Sequence, residues 1–106
     1  MRVMELNKLR ERLRRYRKSE IIITNHAELQ AFVREIDLDK VKEDIINPVN
    51  LVYAREQDAG KSGKEKHDCY FSQSKNVYHR YILTLNSKII IVTIIRINRD
   101  WQKSIG

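Results

Sequence analysis

Apolar and polar positions along this chain follow a helical period in the first half and a strand period in the second. Leu6, Leu9, Leu13 and Tyr16 recur at spacings of three and four, which predicts an amphipathic helix over Val3–Lys18. Ile21 to Ile23 reads as a short strand. Asn25 then stands as a helix N-cap, with Glu28 three residues on in capping-box spacing. That helix runs to about Glu35, with Ala27, Leu29, Phe32, Val33 and Ile36 as its apolar positions. Asp37 or Asp39 caps a further short helix. Val41 and Ile45 point inward from it, with Leu38 or Ile46, and Asn47-Pro48 ends it.

After Pro48 the period shortens. Val49–Ala54, Asp68–Ser72, Tyr78–Leu85 and Lys88–Arg96 read as strands. The most apolar of them contains Ile89 to Ile95 (IIIVTII), β-branched throughout with one polar atom, on Thr93. A run apolar on both parities belongs inside a sheet, covered on both faces. It is too short for a bilayer, where a helix needs about 20 apolar residues. The links Gln73–Asn76 and Asn86-Ser87 are short enough for antiparallel hairpins. Gln57–Lys66 is polar, holds two of the three glycines and reads as a loop. Helices before strands, without strand–helix alternation, predict an α+β fold: N-terminal helices packed on a four-stranded antiparallel β-meander. At 106 residues the chain reads as one domain. It comprises a basic helix at 1–18, a helix-plus-sheet core at 19–97 and a tail at 98–106 that carries Trp101.

Charge sharpens this outline. The net charge of +7 is distributed as +6 over residues 1–18, −5 over 19–60 and +6 over 61–106. Two basic segments around an acidic one suit a nucleic-acid partner, although solvation alone also accounts for many lysines and arginines. Arg10, Arg14, Arg15 and Arg17 on the first helix, with Lys61 and Lys64 in the loop, are the residues placed to grip phosphates. The single cysteine, Cys69, leaves no internal disulfide and reads as a buried core thiol. With no apolar stretch after the charged N-terminus, the expectation is a cytoplasmic protein without a membrane partner.

Several chemistries fail on spacing. Gly60-Lys61-Ser62-Gly63-Lys64 lacks the upstream glycine of a phosphate loop, since Arg55 stands at that place. His26, His67, Cys69 and His79 lack the paired spacings of a zinc site, so neither a metal nor another cofactor is expected. The carboxylate pairs Asp37/Asp39 and Glu43/Asp44 read as a helix cap and a solvated helix face. What remains is a set of imidazole, guanidinium and hydroxyl groups near the last two strands. Metal-free RNA cleavage needs a base for the 2′-OH, cations for the phosphate and an acid for the leaving 5′-oxygen. Arg80 and Arg96 suit the cation role. His26 or His79 supplies base and acid, with Tyr78 as an alternative acid and Thr93 beside them. A turn at 86–87 that pairs Leu85 with Lys88 sets Arg80 opposite Thr93, Tyr78 opposite Ile95 and His79 opposite Ile94. Taken singly, each of these residues is more at home as an ordinary surface group, since loose residues of these types are common on surfaces.

The segments ITNHAELQAFVREIDLDKVKEDIINP and YHRYILTLNSKIIIVTIIRI, separated by a strand and a polar loop, resemble small toxins of the BrnT and RelE type. These are members of the barnase–RelE-like ribonuclease superfamily. The resemblance covers about residues 21–97. It implies a RelE-like fold and a metal-independent endoribonuclease acting on mRNA, often ribosome-associated, and neutralised by an antitoxin protein. Carried onto this chain, it implies His26, Arg80 and Arg96 as active-site residues, with Thr93 and Tyr78 as neighbours. Gln30 stands where related chains often carry an arginine. The arginine-rich helix at 1–18 lies outside the pattern and would cross the sheet, make a homodimer or bind RNA. The alternative is a non-catalytic nucleic-acid-binding or protein-interaction module on the same scaffold.

Overall fold

A computed structural model of the chain describes residues 2–3, with backbone alone, 5–57 and 66–98. Among the described residues the fold is α+β, with three α-helices and a mixed sheet. The elements are β1 (Arg2–Val3), α1 (Leu6–Arg14), β2 (Ile21–Ile23), α2 (Asn25–Val33), α3 (Leu38–Ile46), β3 (Leu51–Gln57), β4 (Lys66–Ser74), β5 (Val77–Leu85) and β6 (Ile89–Asn98). Strand order is β1-β3-β4-β5-β6-β2. The expected antiparallel run β3 to β6 is present, but the sheet is wider than a four-stranded meander. β1 adds to one edge antiparallel, and β2 adds to the other edge parallel to β6. Lys61 and Lys64, the loop lysines expected to contact nucleic acid, and the tail with Trp101, lie outside the described residues.

Helix α1 is shorter than its periodicity implies. Arg2 and Val3 pair with Glu56 and Arg55, so the chain is still extended there. Glu5 caps the helix, its carboxylate accepting from the backbone N–H groups of Asn7 and Lys8. Leu9 and Leu13 are buried, and Tyr16 donates its hydroxyl to the Asn86 carbonyl. Thr24, not Asn25, caps α2, its hydroxyl accepting from Ala27 N–H. The C-terminus of α2 is a Schellman turn: Ile36 N–H donates to the Ala31 carbonyl and Glu35 N–H to that of Phe32. Glu35 takes the left-handed conformation there, at φ 56°. Asp37 caps α3 through the Asp39 N–H.

The three helices cover one face of the sheet. Ala54, Cys69, Tyr81 and Ile94 form one row across it, and His67, Leu83 and Ile91 a neighbouring row. All seven are buried beneath Leu9, Leu13, Ala27, Ala31, Val41 and Ile45. Cys69 is a core thiol whose pKa burial pushes up. Strict alternation fails in β6 because Val92 is the extra residue of a bulge between the pairs Leu83–Ile91 and Ile82–Thr93. Ile91 and Ile94, three apart, therefore both face the core.

The register of the terminal hairpin differs from the sequence expectation. Leu85 pairs with Ile89 rather than Lys88, because the turn holds three residues. The bulge at Val92 adds a second one-residue shift. Arg80 consequently lies opposite Ile95, Tyr78 opposite Ile97, and His79 opposite Arg96. Two single shifts restore the parity beyond the bulge, so Tyr78, His79, Arg80 and Thr93 keep their expected faces while changing partners, whereas Ile89–Ile91, displaced by one shift only, exchange faces.

Candidate active site

The face assignment divides the sequence-predicted residues. His79 and Arg96 are direct cross-strand partners on the helix-covered face. Tyr78, Arg80 and Thr93 occupy alternate positions, on the opposite face. His26 is exposed at the second residue of α2. The nine-residue helix runs from there toward Glu35, whose carbonyl accepts from the Arg96 guanidinium at 3.5 Å. His26 is thus about a helix length, roughly 13 Å, from the Arg96 end.

Arg80 is engaged where it stands. Its Nε donates to Asp68 Oδ1 at 2.7 Å and its Nη2 to Oδ2 at 2.8 Å, a bidentate pair. The guanidinium also sits 5.7 Å from the Tyr70 ring centroid. Arg55 donates to the same carboxylate at 3.2 Å. Asp68 is fully buried, so these guanidinium groups compensate its charge within the fold. The hydrogen bond from the Asp68 carboxylate accordingly raises the pKa of Arg80.

On the helix side a polar chain crosses the interior. His79 Nδ1 lies 3.0 Å from the Tyr81 hydroxyl, which donates to Asp44 Oδ2 at 2.9 Å. Lys40 donates to Asp44 Oδ1 at 2.7 Å, and Gln73 donates to Oδ2 at 2.8 Å. Asp44 is buried, in contrast to the solvated face expected for the Glu43/Asp44 pair. Glu43 does face outward, held by Lys18. Gln73 is the extra residue of a bulge between the pairs Ser72–Tyr78 and Ser74–Val77.

Electrostatics mark His79 as the unusual group. Burial lowers its pKa to about 4, and the positive charges of Arg96 and Lys40 press it the same way, against the opposing pull of Asp44. The imidazole is therefore neutral at pH 7, beside two cations that are close enough to act on its titration. Burial and then the Asp44 charge push the pKa of Tyr81 up, so it keeps its proton.

Asp44, Lys40 and Gln73 are the members that sequence reasoning left out. One signal for Asp44 was present: it lies three residues after Val41 and directly before Ile45, on the buried stripe of α3. Gln30, which replaces an arginine in the resembling pattern, has a structural task here. Its Oε1 accepts from Ile94 N–H at 2.9 Å, beyond the last β2 pairing at Ile91. Arg10 is likewise occupied, donating to the carbonyls of Pro48 and Leu51. Arg14, Arg15 and Arg17 are exposed.

Among the described residues, no group of three or more His, Cys, Asp or Glu side chains is arranged to hold a metal. No described helix is long and apolar enough to cross a membrane. No family model, curated protein or solved structure matches the chain.

Proposed function

We propose that this chain is a toxin-like, metal-independent endoribonuclease with a RelE-like fold, cleaving RNA by attack of a 2′-OH on the adjacent phosphorus. The observation that carries the reading is the direct pairing of His79 with Arg96 on the helix side, with Lys40 close enough to act on the same imidazole. A neutral imidazole beside two cations suits a phosphodiester: the cations take the anion and the ring takes a proton. Binding the phosphate also offsets the positive charges that hold the His79 pKa down, so the base strengthens as substrate arrives.

The reaction then balances within the site. His79 accepts the 2′-OH proton, the 2′-oxygen bonds to phosphorus, and the P–O5′ bond breaks. Arg96 donates to the phosphate oxygens, and the Lys40 ammonium protonates the leaving 5′-oxygen. The products are a 2′,3′-cyclic phosphate and a 5′-hydroxyl. Arg80 and His26 leave the catalytic set of this proposal, because Arg80 is committed to Asp68 on the other face and His26 lies at the far end of α2. The same reading assigns a cytoplasmic location, mRNA as substrate and an antitoxin protein as partner.

The test is incubation of the purified full chain with unstructured RNA in EDTA. Cleavage leaving cyclic-phosphate ends, lost in His79→Gln and Arg96→Ala but kept in Arg80→Met, supports the proposal. Cleavage indifferent to both His79 and Arg96 refutes it. The second reading, an interaction module without catalysis, draws on the exposed apolar stripe Leu29, Phe32 and Val33 of α2. It predicts salt-sensitive RNA binding or protein capture with no cleavage at all.

A further inference from the structure

The Tyr81 hydroxyl has one hydrogen and two polar neighbours, Asp44 Oδ2 and His79 Nδ1. A carboxylate offers only acceptors. Asp44 already receives the Lys40 ammonium and the Gln73 amide, contacts that favour its anionic form. The Tyr81 hydrogen is therefore spent on Asp44. The contact between the Tyr81 oxygen and His79 then needs a hydrogen from the ring, and only Nδ1–H can provide it.

We infer that Asp44, acting through the Tyr81 hydroxyl, is a positioning residue that fixes His79 as the Nδ1–H tautomer and leaves Nε2 as the nitrogen that takes up a proton. The inference rests on the proposed function for its catalytic consequence alone. The tautomer itself belongs to the resting protein and is measured without RNA. In a free imidazole the hydrogen is not pinned to one nitrogen, and the partner of the other nitrogen decides. Here that partner is a tyrosine oriented by a buried carboxylate one helix away. Direct contact between residues 44 and 79 is not needed, which gives the relay a distinctive signature: a change at Asp44 moves the proton on His79.

The experiment is histidine-selective ¹⁵N labelling of the full chain, with two-bond ¹⁵N–¹H correlations at pH 7. The His79 signals are identified by their loss in His79→Gln. The ring is neutral at that pH, its pKa being about 4, so the tautomer is resolved. Wild type should show a protonated Nδ1 and a bare Nε2. Tyr81→Phe removes the acceptor of the Nδ1 hydrogen, and Asp44→Leu frees the tyrosine to donate to the ring. Both should move His79 toward the Nε2–H form while circular dichroism stays native-like. In the cleavage assay both should lower kcat by about 10- to 100-fold with KM within about twofold, as loss of an oriented base implies. A wild-type ring protonated on Nε2, or a tautomer unmoved in Tyr81→Phe, overturns the relay. Should Asp44→Leu fail to fold, Tyr81→Phe decides alone, since it is nearly isosteric. A tautomer that shifts as expected in a chain that cleaves no RNA upholds the relay and removes the nuclease reading.

Discussion

His79 makes the fold sensitive to acid. Its ring lies tilted against Tyr81, which in turn packs on Phe71, and the folded pKa of about 4 lies below the ordinary value of 6.5. As pH falls from 6.5 toward 4, the unfolded chain takes up a proton on this residue and the folded chain does not. The stabilisation is thus complete above pH 6.5 and is lost progressively down to about pH 4, by no more than about 3 kcal/mol. Urea midpoints at pH 7 and pH 4.5 should fall less in His79→Gln than in wild type; parallel losses would show that the ring does not titrate this way. Arg80 makes the opposite case, a charged residue with a scaffold role. Arg80→Met leaves the buried Asp68 with Arg55 as its one cationic partner among the described residues and should cost about 2–4 kcal/mol in thermal or urea melts. RNA cleavage measured below the lowered midpoint should be unchanged. A stable Arg80→Met that no longer cleaves would return Arg80 to the site. At this scale the types of residue were readable and their partners were not. Beyond the bulge two shifts preserved the parity, so the facing of Tyr78, His79, Arg80 and Thr93 was inferred correctly from a wrong register, while that of Ile89–Ile91 was not. No local pattern announces the bulge at Val92 that sets His79 beside Arg96.

Helix α2 shows where element-level patterning misleads. Ala27, Leu29, Phe32 and Val33 sit among the expected apolar positions, yet the buried side is Ala27 and Ala31, while Leu29, Phe32 and Val33 are 62%, 81% and 66% exposed. Small residues face the sheet because α2 lies directly on β6, where Gln30 and Thr24 bond the strand backbone. Close approach favours alanine, and the large side chains point away. Phe32→Ser should therefore change stability by less than about 0.5 kcal/mol, against the 3–5 kcal/mol loss expected had the residue been core. Chemical denaturation distinguishes the two, and a loss above about 2 kcal/mol would mean that the stripe is covered. Strand existence, by contrast, was legible from β-branched runs and short polar links. The edge additions were not: β2 is three isoleucines long, and nothing local specifies a parallel partner 68 residues away, as in the pair Ile21–Ile89.

Across the whole molecule, the basic helix and the His79 end are separate features. Arg12 donates to the Leu85 carbonyl and Tyr16 to that of Asn86, which fixes the end of α1 at the turn between β5 and β6. His79 is six residues up β5 from Leu85, about 20 Å along the strand. Arg14 and Arg15 are therefore placed to meet the same RNA strand several nucleotides from a phosphate held at Arg96, while Arg17 precedes Lys18, which pairs with Asp39 and Glu43 of α3. Their contribution is affinity without chemistry. Replacing all three by alanine should weaken binding of a long single-stranded RNA and flatten the slope of log K against log salt by up to about 2, at roughly 0.7 per lost phosphate contact. Turnover of a short RNA, which spans the His79 end alone, should keep its kcat. Fluorescence anisotropy across a salt series measures the slope, and the EDTA cleavage assay measures the turnover. An unchanged slope would show that the +6 carried by residues 1–18 only solvates the helix. A fall in kcat on the short RNA would place those arginines within reach of the reacting phosphate.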